Sequence, residues 1–250
     1  MPDFADLFSG RAPQYAEFRP RYPRELGAWL ARQAPATDLA WDCGTGSGQA
    51  AGLVAEFFAR VWATDPSPAQ LQSAQPCPNV EYVPGREGSS GLADGSVSLV
   101  TAAQAVHWFD RPTFWTEARR VLRPDGLLAV WGYGLPRIDP LVNAVLDRFH
   151  GSTVAAWWTP ERRLVETAYR DLDFPFPRLH PPEFPMQARW TRSALLGYVG
   201  TWSAVARCRQ ETGSDPLETL AEPLAASWPD ASVPRPVSWP LFLIAGRRNP

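Results

Sequence analysis

Apolar positions fall into short runs separated by amphipathic stretches. Leu26, Trp29 and Leu30 recur at helical spacing within residues 24–34, and Pro35 ends that pattern. Leu39-Ala40-Trp41-Asp42-Cys43 is a mostly apolar run entering a glycine cluster, the signature of a strand buried on both faces. Ala50, Leu53, Val54, Phe57 and Phe58 then share one helical face. Further strands are predicted over residues 61–64, 80–83, 97–103 and 127–131. Asp110 and Pro112 open a helix whose buried stripe is Phe114, Trp115, Ala118, Val121 and Leu122. Arg123-Pro124-Asp125-Gly126 reads as a turn. Strands alternating with helices at this spacing imply βαβ units and a parallel sheet.

After Tyr133 the pattern changes. Residues 134–182 are helical in spacing and then proline-rich, which predicts a cap inserted over the C-terminal edge of the sheet. Residues 184–190 alternate like a strand, 192–211 read as helix, and 237–245 as a final apolar strand. Residues 1–23 are polar and Arg-rich and end in Arg19-Pro20-Arg21-Tyr22-Pro23, a candidate N-terminal lid on a single 1–250 domain.

Composition narrows the class. Across 250 residues the net charge is −2, which argues against a dedicated nucleic-acid binder. All 24 cations are Arg. The three cysteines are unclustered and define neither a disulfide framework nor a metal site. The first residues lack a leader pattern and no run approaches a membrane span, so the expectation is a cytoplasmic protein with no membrane partner, monomeric or homodimeric. Twelve Trp suggest an aromatic-lined cavity.

The chemistry concentrates in Asp42-Cys43-Gly44-Thr45-Gly46-Ser47-Gly48, between a strand and a helix. Glycines allow a sharp turn and close approach of a ligand. The helix start suits an anionic group, and Asp42 supplies the opposite charge. A ligand carrying an ammonium and a carboxylate on one carbon fits that pair. Asp65, at the end of the second strand, can accept hydrogen bonds from ribose hydroxyls. A nicotinamide fingerprint would need glycine where Gln49 stands, and the chain has no Lys for a Tyr-x-x-x-Lys pair.

Together with Leu7-Phe8-Ser9-Gly10-Arg11-Ala12, Tyr15, Gln104-Ala105-Val106-His107-Trp108-Phe109, Leu122 through Gly126, Thr201-Trp202-Ser203-Ala204 and Trp239-Pro240, these segments make the sequence resemble class I S-adenosylmethionine-dependent methyltransferases. More narrowly it resembles the methyltransferase type 11 group with trans-aconitate methyltransferase-like proteins. The resemblance implies a Rossmann-like α/β fold. It has a seven-stranded, mostly parallel sheet with helices on both faces, residues 184–190 and 237–245 forming the closing pair. It implies that Asp42, Gly44, Thr45, Gly46 and Gly48 meet the methionine part of S-adenosyl-L-methionine and Asp65 and Pro66 the ribose. Tyr15 and Arg19 would close over the carboxylate, and Gln104 and Ala105 would line the sulfur side. Glu87 is the acid nearest the place where the family meets adenine, and Ser98 stands where relatives often carry Asp.

Methyl transfer by direct SN2 displacement needs an aligned nucleophile and exclusion of water. An ionised carboxylate acceptor needs no base, whereas a hydroxyl or amine does. His107, just beyond the fourth strand, is the candidate base, with a backbone-bonded structural histidine as the alternative. Trp108, Trp131, Trp157, Trp158, Trp190, Trp202 and Tyr169 are candidate walls for a small-molecule acceptor, and Arg162 is a candidate partner for an acid, O-methylation then being the reaction. A non-catalytic S-adenosylmethionine-binding protein and an NAD-dependent oxidoreductase are the competing readings.

Overall fold

The computed structural model describes residues 18–249. The expected βα alternation is present. Helix α1 (Arg24–Gln33) precedes β1 (Leu39–Cys43), α2 (Gln49–Ala55), β2 (Arg60–Asp65), α3 (Pro68–Gln72) and β3 (Val80–Pro84). Then follow β4 (Val97–Ala103), a 3-10 turn over Val106–Trp108, α4 (Arg111–Val121) and β5 (Leu122–Tyr133). Asp110 caps α4 by accepting from Thr113 N at 3.2 Å, with Pro112 in the first turn.

The main sheet has six strands in the order β3-β2-β1-β4-β5-β8, where β8 is Leu241–Arg247. Strands β1 to β5 are parallel, and β8 runs antiparallel to β5 from Leu127↔Arg247 to Tyr133↔Leu241. Side chains alternate between two cores. Trp41, Leu128 and Val130 pack with Phe114 and Trp115 on one face. Ala40, Leu127, Ala129 and Trp131 pack with Leu26, Leu30, Leu53 and Val54 on the other. The connections leave β1 in opposite directions to β2 and β4, so the carboxyl end of β1 is the topological switch point where ligands bind in such sheets.

Three expectations change here. The seven-stranded sheet has six strands, because β6 (Met186–Trp190) pairs with β7 (Arg235–Trp239) in a separate antiparallel ribbon. The run read as one strand over 237–245 is divided at Pro240, which lacks the N–H that a continuous ladder would need. The Arg123–Gly126 turn lies inside β5 as a bulge, since pairing with β4 jumps from Val97↔Leu122 to Leu99↔Leu127 and Asp125 takes φ 62. The bulge sends Arg123 to Asp38 at 2.7 Å, and Asp38 also accepts from Ser98 Oγ at 2.7 Å. Asp38 therefore supplies the carboxylate that Ser98 lacks. Burial raises its pKa, but the Ser98 and Arg123 hydrogen bonds outweigh that and hold it at about 2.

The chain leaves the main sheet after β5 and returns at β8. Between them lie α5 (Pro140–Arg148), a π turn, α6 (Arg162–Glu166), α7 (Arg192–Gly200), α8 (Ser203–Thr212) and α9 (Glu218–Ser227). The segment 134–182 shares a third core with β6, β7 and these later helices, built on Leu146, Phe149, Leu195, Val199, Trp202, Leu224 and Trp239.

Candidate active site

A cavity lined by residues of the glycine bend, Asp65, Glu87, Gln104, His107 and Arg162 opens at the switch point. Its floor is the glycine bend after β1. Gly44 and Gly46 have φ of 68 and 55. A Cβ on Gly44 would meet Ala105 Cβ at 2.7 Å, whereas at Gly46 the nearest atom is 3.8 Å away, so Gly46 faces open space. Gly48, at φ 82, does not line the cavity; a Cβ there would meet Tyr82 Oη at 2.3 Å, so this glycine serves packing.

The amides of the bend are mostly spoken for. Gly44 N and Thr45 N donate to Thr64 O at 2.8 and 3.0 Å, Gly48 N to Thr45 O at 3.0 Å, and Gly46 N to Asp65 Oδ2 at 2.8 Å. The expectation that these amides await a carboxylate is therefore corrected: they hold the bend against β2. Asp65 Oδ1 accepts from Ser67 N at 2.8 Å, which leaves each carboxylate oxygen with a lone pair, and the residue lines the cavity beside Pro66. Burial raises its pKa.

Asp42 lies one residue beneath the wall, 1 % exposed. Its Oδ1 accepts from Thr101 Oγ1 at 2.6 Å, and its Oδ2 makes no hydrogen bond. Burial raises its pKa to about 6. Thr45 Oγ1 and Ser47 Oγ, both buried and lining the cavity, also lack partners. Orphaned polar atoms clustered under a glycine bend, with a carboxylate below them, match a cationic, hydroxyl-rich ligand.

Glu87 lines the far wall beside Gly85 and Arg86, its Oε1 accepting from Asp110 N at 3.0 Å. Gln104 and Ala105 line the inner wall. Gln104 takes φ 53, held by its N–H on Trp131 O at 2.8 Å and its Nε2 on Tyr133 O at 3.0 Å. Arg19 lines the roof and donates to Tyr133 Oη at 3.0 Å. Tyr15 lies outside the described residues.

On the second side stand His107, Trp108, Trp158, Trp202 and Arg162, as expected, with Tyr133 and Tyr198. Trp157 and Trp190 do not line the cavity. Tyr198 carried no signal of its own; only its place one turn before Trp202 puts it on the same wall. Arg162 rests over the Trp158 ring at 4.7 Å. Its buried Nε has no partner, and its guanidinium forms no ion pair among the described residues. Tyr169 is fully buried behind His107, with its Oη 3.0 Å from His107 Nδ1. Burial, then the charges of Arg162 and Arg111, pulls the His107 pKa down to about 3. An imidazole that basic only below pH 3 is a poor proton acceptor at neutrality, which speaks against the role of base.

Trp131 is corrected outright. It is fully buried in the core against α1 and α2, edge-on to Tyr22 at 5.5 Å, away from the cavity. Period-two alternation from Leu128 and Val130 puts it on the face covered by α1 and α2. Trp131→Ala is expected to cost about 3–5 kcal/mol of stability by thermal or urea unfolding. A variant that melts like the wild type would show that the ring is not core.

A Rossmann-like sheet whose switch point joins a glycine bend to a carboxylate ending the second strand defines a nucleoside-cofactor-binding enzyme fold. A methyltransferase-domain model matches residues 41–130. A methyltransferase of Dictyostelium discoideum is 31% identical over 98% of this chain and 96% of its own. A solved structure from Anaeromyxobacter dehalogenans, described as a type II methyltransferase, is 49% identical, covers 93% of this chain and 99% of that one, and superposes with a TM-score of 0.85. A Saccharomyces cerevisiae protein described as an S-adenosylmethionine-dependent methyltransferase is 31% identical over 52% of this chain, which spans about half (48%) of that relative. The chain belongs to the S-adenosylmethionine-dependent methyltransferases. No helix among the described residues is long and apolar enough to cross a membrane.

Proposed function

We propose that this methyltransferase acts on a small organic acid, transferring the methyl group directly to an ionised oxygen. The observation that carries this reading is Arg162, a largely enclosed cation on the cavity wall that forms no ion pair among the described residues. Enclosing a charge unpaired is costly, and an anionic acceptor is the natural compensation. The likeness to trans-aconitate methyltransferase-like proteins supports the same class of acceptor.

When bound, S-adenosylmethionine supplies an electrophilic methyl on a sulfonium centre. Asp65 would accept from the ribose hydroxyls and Glu87 would lie at the adenine edge. Asp42, through its field and by way of Thr45, would favour the cofactor's positive charges, and Arg19 its carboxylate. Arg162 would anchor the acceptor, and Trp158, Trp202, Tyr133 and Tyr198 would exclude water and hold it in line. An acid ionised at neutral pH needs no base, consistent with the neutral imidazole of His107.

The test combines titration calorimetry with a turnover screen. S-adenosylhomocysteine is expected to bind and NAD not to. With S-adenosylmethionine, small carboxylic acids are expected to turn over, and amines and neutral alcohols not. Turnover confined to amines would sink the acid reading. Binding without turnover of any acceptor would favour a non-catalytic binder.

A further inference from the structure

The cap delivers Tyr169 to His107 through unusual backbone. Ala168 and Tyr169 are consecutive non-glycine residues in the left-handed region, at φ 52 and 56. Side-chain residues rarely adopt this conformation singly, let alone in tandem, and they persist there only when the surroundings over-determine them. Here the surroundings are Phe242, edge-on to the Tyr169 ring at 4.9 Å, and His107, with ring centroids 6.1 Å apart.

The Tyr169 hydroxyl has His107 Nδ1, at 3.0 Å, as its partner, and makes no other hydrogen bond among the described residues. Burial raises its pKa, so it keeps its proton. A buried hydroxyl proton must be donated, and Nδ1 is the acceptor within reach. A ring nitrogen accepts only through an unprotonated lone pair. The proton of the neutral ring then resides on the other nitrogen. Nε2 makes no hydrogen bond among the described residues, and the ring lines the cavity.

We infer that Tyr169 is a positioning residue that locks His107 in its Nε2–H form, so that His107 presents a hydrogen-bond donor to the methyl acceptor and selects, with Arg162, for an acceptor bearing an oxygen with free lone pairs. The tautomer follows from Tyr169 and His107 alone. The selection step rests on the acceptor reading given above. A donor beside a guanidinium favours a carboxylate or carbonyl oxygen and disfavours an ammonium, which has only protons to offer.

Two-bond 1H–15N correlation spectra of protein labelled at histidine read the tautomer directly, with His107→Gln assigning the signal among the three histidines. The wild-type protein, without ligand at pH 7, is expected to show an unprotonated Nδ1 and a protonated Nε2. In Tyr169→Phe the lock is gone, and averaging between the two tautomers is expected. A proton on Nδ1 in the wild type overturns the inference, and so does an unchanged tautomer in Tyr169→Phe. Should Tyr169→Phe fail to fold, the wild-type spectrum decides alone. With a carboxylic-acid substrate, His107→Ala is expected to raise KM roughly 10-fold at little change in S-adenosylhomocysteine affinity, and His107→Gln, which keeps an N–H donor, to recover part of it. A correct tautomer in a protein that turns over only amines would leave the lock standing and reject the acid acceptor. Failure of the lock with normal acid turnover would do the reverse.

Discussion

Asp42→Asn is expected to produce a methyltransferase that is more stable without its cofactor and nearly unable to bind it. The carboxyl is 1 % exposed, with one oxygen on Thr101 and the other without a partner. Moving a carboxyl from its ordinary 3.8 to about 6 reflects about 3 kcal/mol of strain on the ionised form. The folded state binds the proton more tightly than the unfolded one. This destabilisation is therefore absent below pH 4, grows as the pH rises, and is complete above pH 6. The amide keeps the bond from Thr101 and discards the charge, so the cofactor-free variant is expected to melt roughly 5–10 °C higher at pH 7.5. Its affinity for S-adenosylhomocysteine, measured by calorimetry, is expected to fall roughly 100-fold, since the field of a buried carboxylate beneath the wall is lost. Wild-type affinity should also weaken as the pH drops through about 6, and the variant should show no such step. An unchanged affinity in Asp42→Asn would remove this carboxylate from the cofactor site.

The second large effect is expected at Arg162. Replacing it by Met preserves an apolar stem over Trp158, 4.7 Å from the guanidinium in the native protein, while deleting the charge. A bidentate guanidinium–carboxylate contact is worth about 2–3 kcal/mol, so kcat/KM for an acid acceptor should fall roughly 30–100-fold, chiefly through KM. Cofactor affinity should stay within a factor of about two, as the residues of the glycine bend are untouched. Burial also lowers the pKa of this Arg, so the Met variant is expected to be at least as stable as the parent. Steady-state kinetics with acids and matched neutral esters decide the matter. A parallel loss for both substrates would mean that Arg162 shapes the cavity rather than reading charge.

The cavity wall at the carboxyl ends of β1 and β2 was largely legible in the sequence, and the reason is local. Asp42 through Gly48 and Asp65 lie at strand ends, where the period of the pattern itself states which end of the sheet each residue occupies. What that reading missed was which hydrogen bonds the bend already makes: Thr64 O and Asp65 take the amides of Gly44, Thr45 and Gly46, and no spacing rule foretells such pairing across strands. The acceptor half was less legible. Trp131 and Trp157 were read as walls because aromatic residues cluster there, but a tryptophan's role depends on which face of a strand or turn it occupies. For a similar reason the sheet membership of the closing strands was not legible, although residues 186–190 and 235–239 do pair. An apolar run says that a segment is buried, and not against which neighbour, so the break at Pro240 and the β6–β7 ribbon emerged only in three dimensions. His107 was found by position, yet its environment, set by Tyr169 sixty-two residues away, decides its chemistry.

The third core ties α5, α7, α8, α9, β6 and β7 together and meets the main sheet at Tyr133 and Leu241. Tyr198 on α7 and Trp202 just before α8 belong to that core, and Trp158 packs against it, while Asp42 and Asp65 ride on β1 and β2, whose apolar side chains fill the other two. Substitutions at Tyr198, Trp202 or Trp158 are therefore expected to leave Asp42 and Asp65 undisturbed. Such a partition lets descendants of one ancestor exchange substrates while inheriting the same methyl donor, one half of the protein diversifying as the other stays fixed.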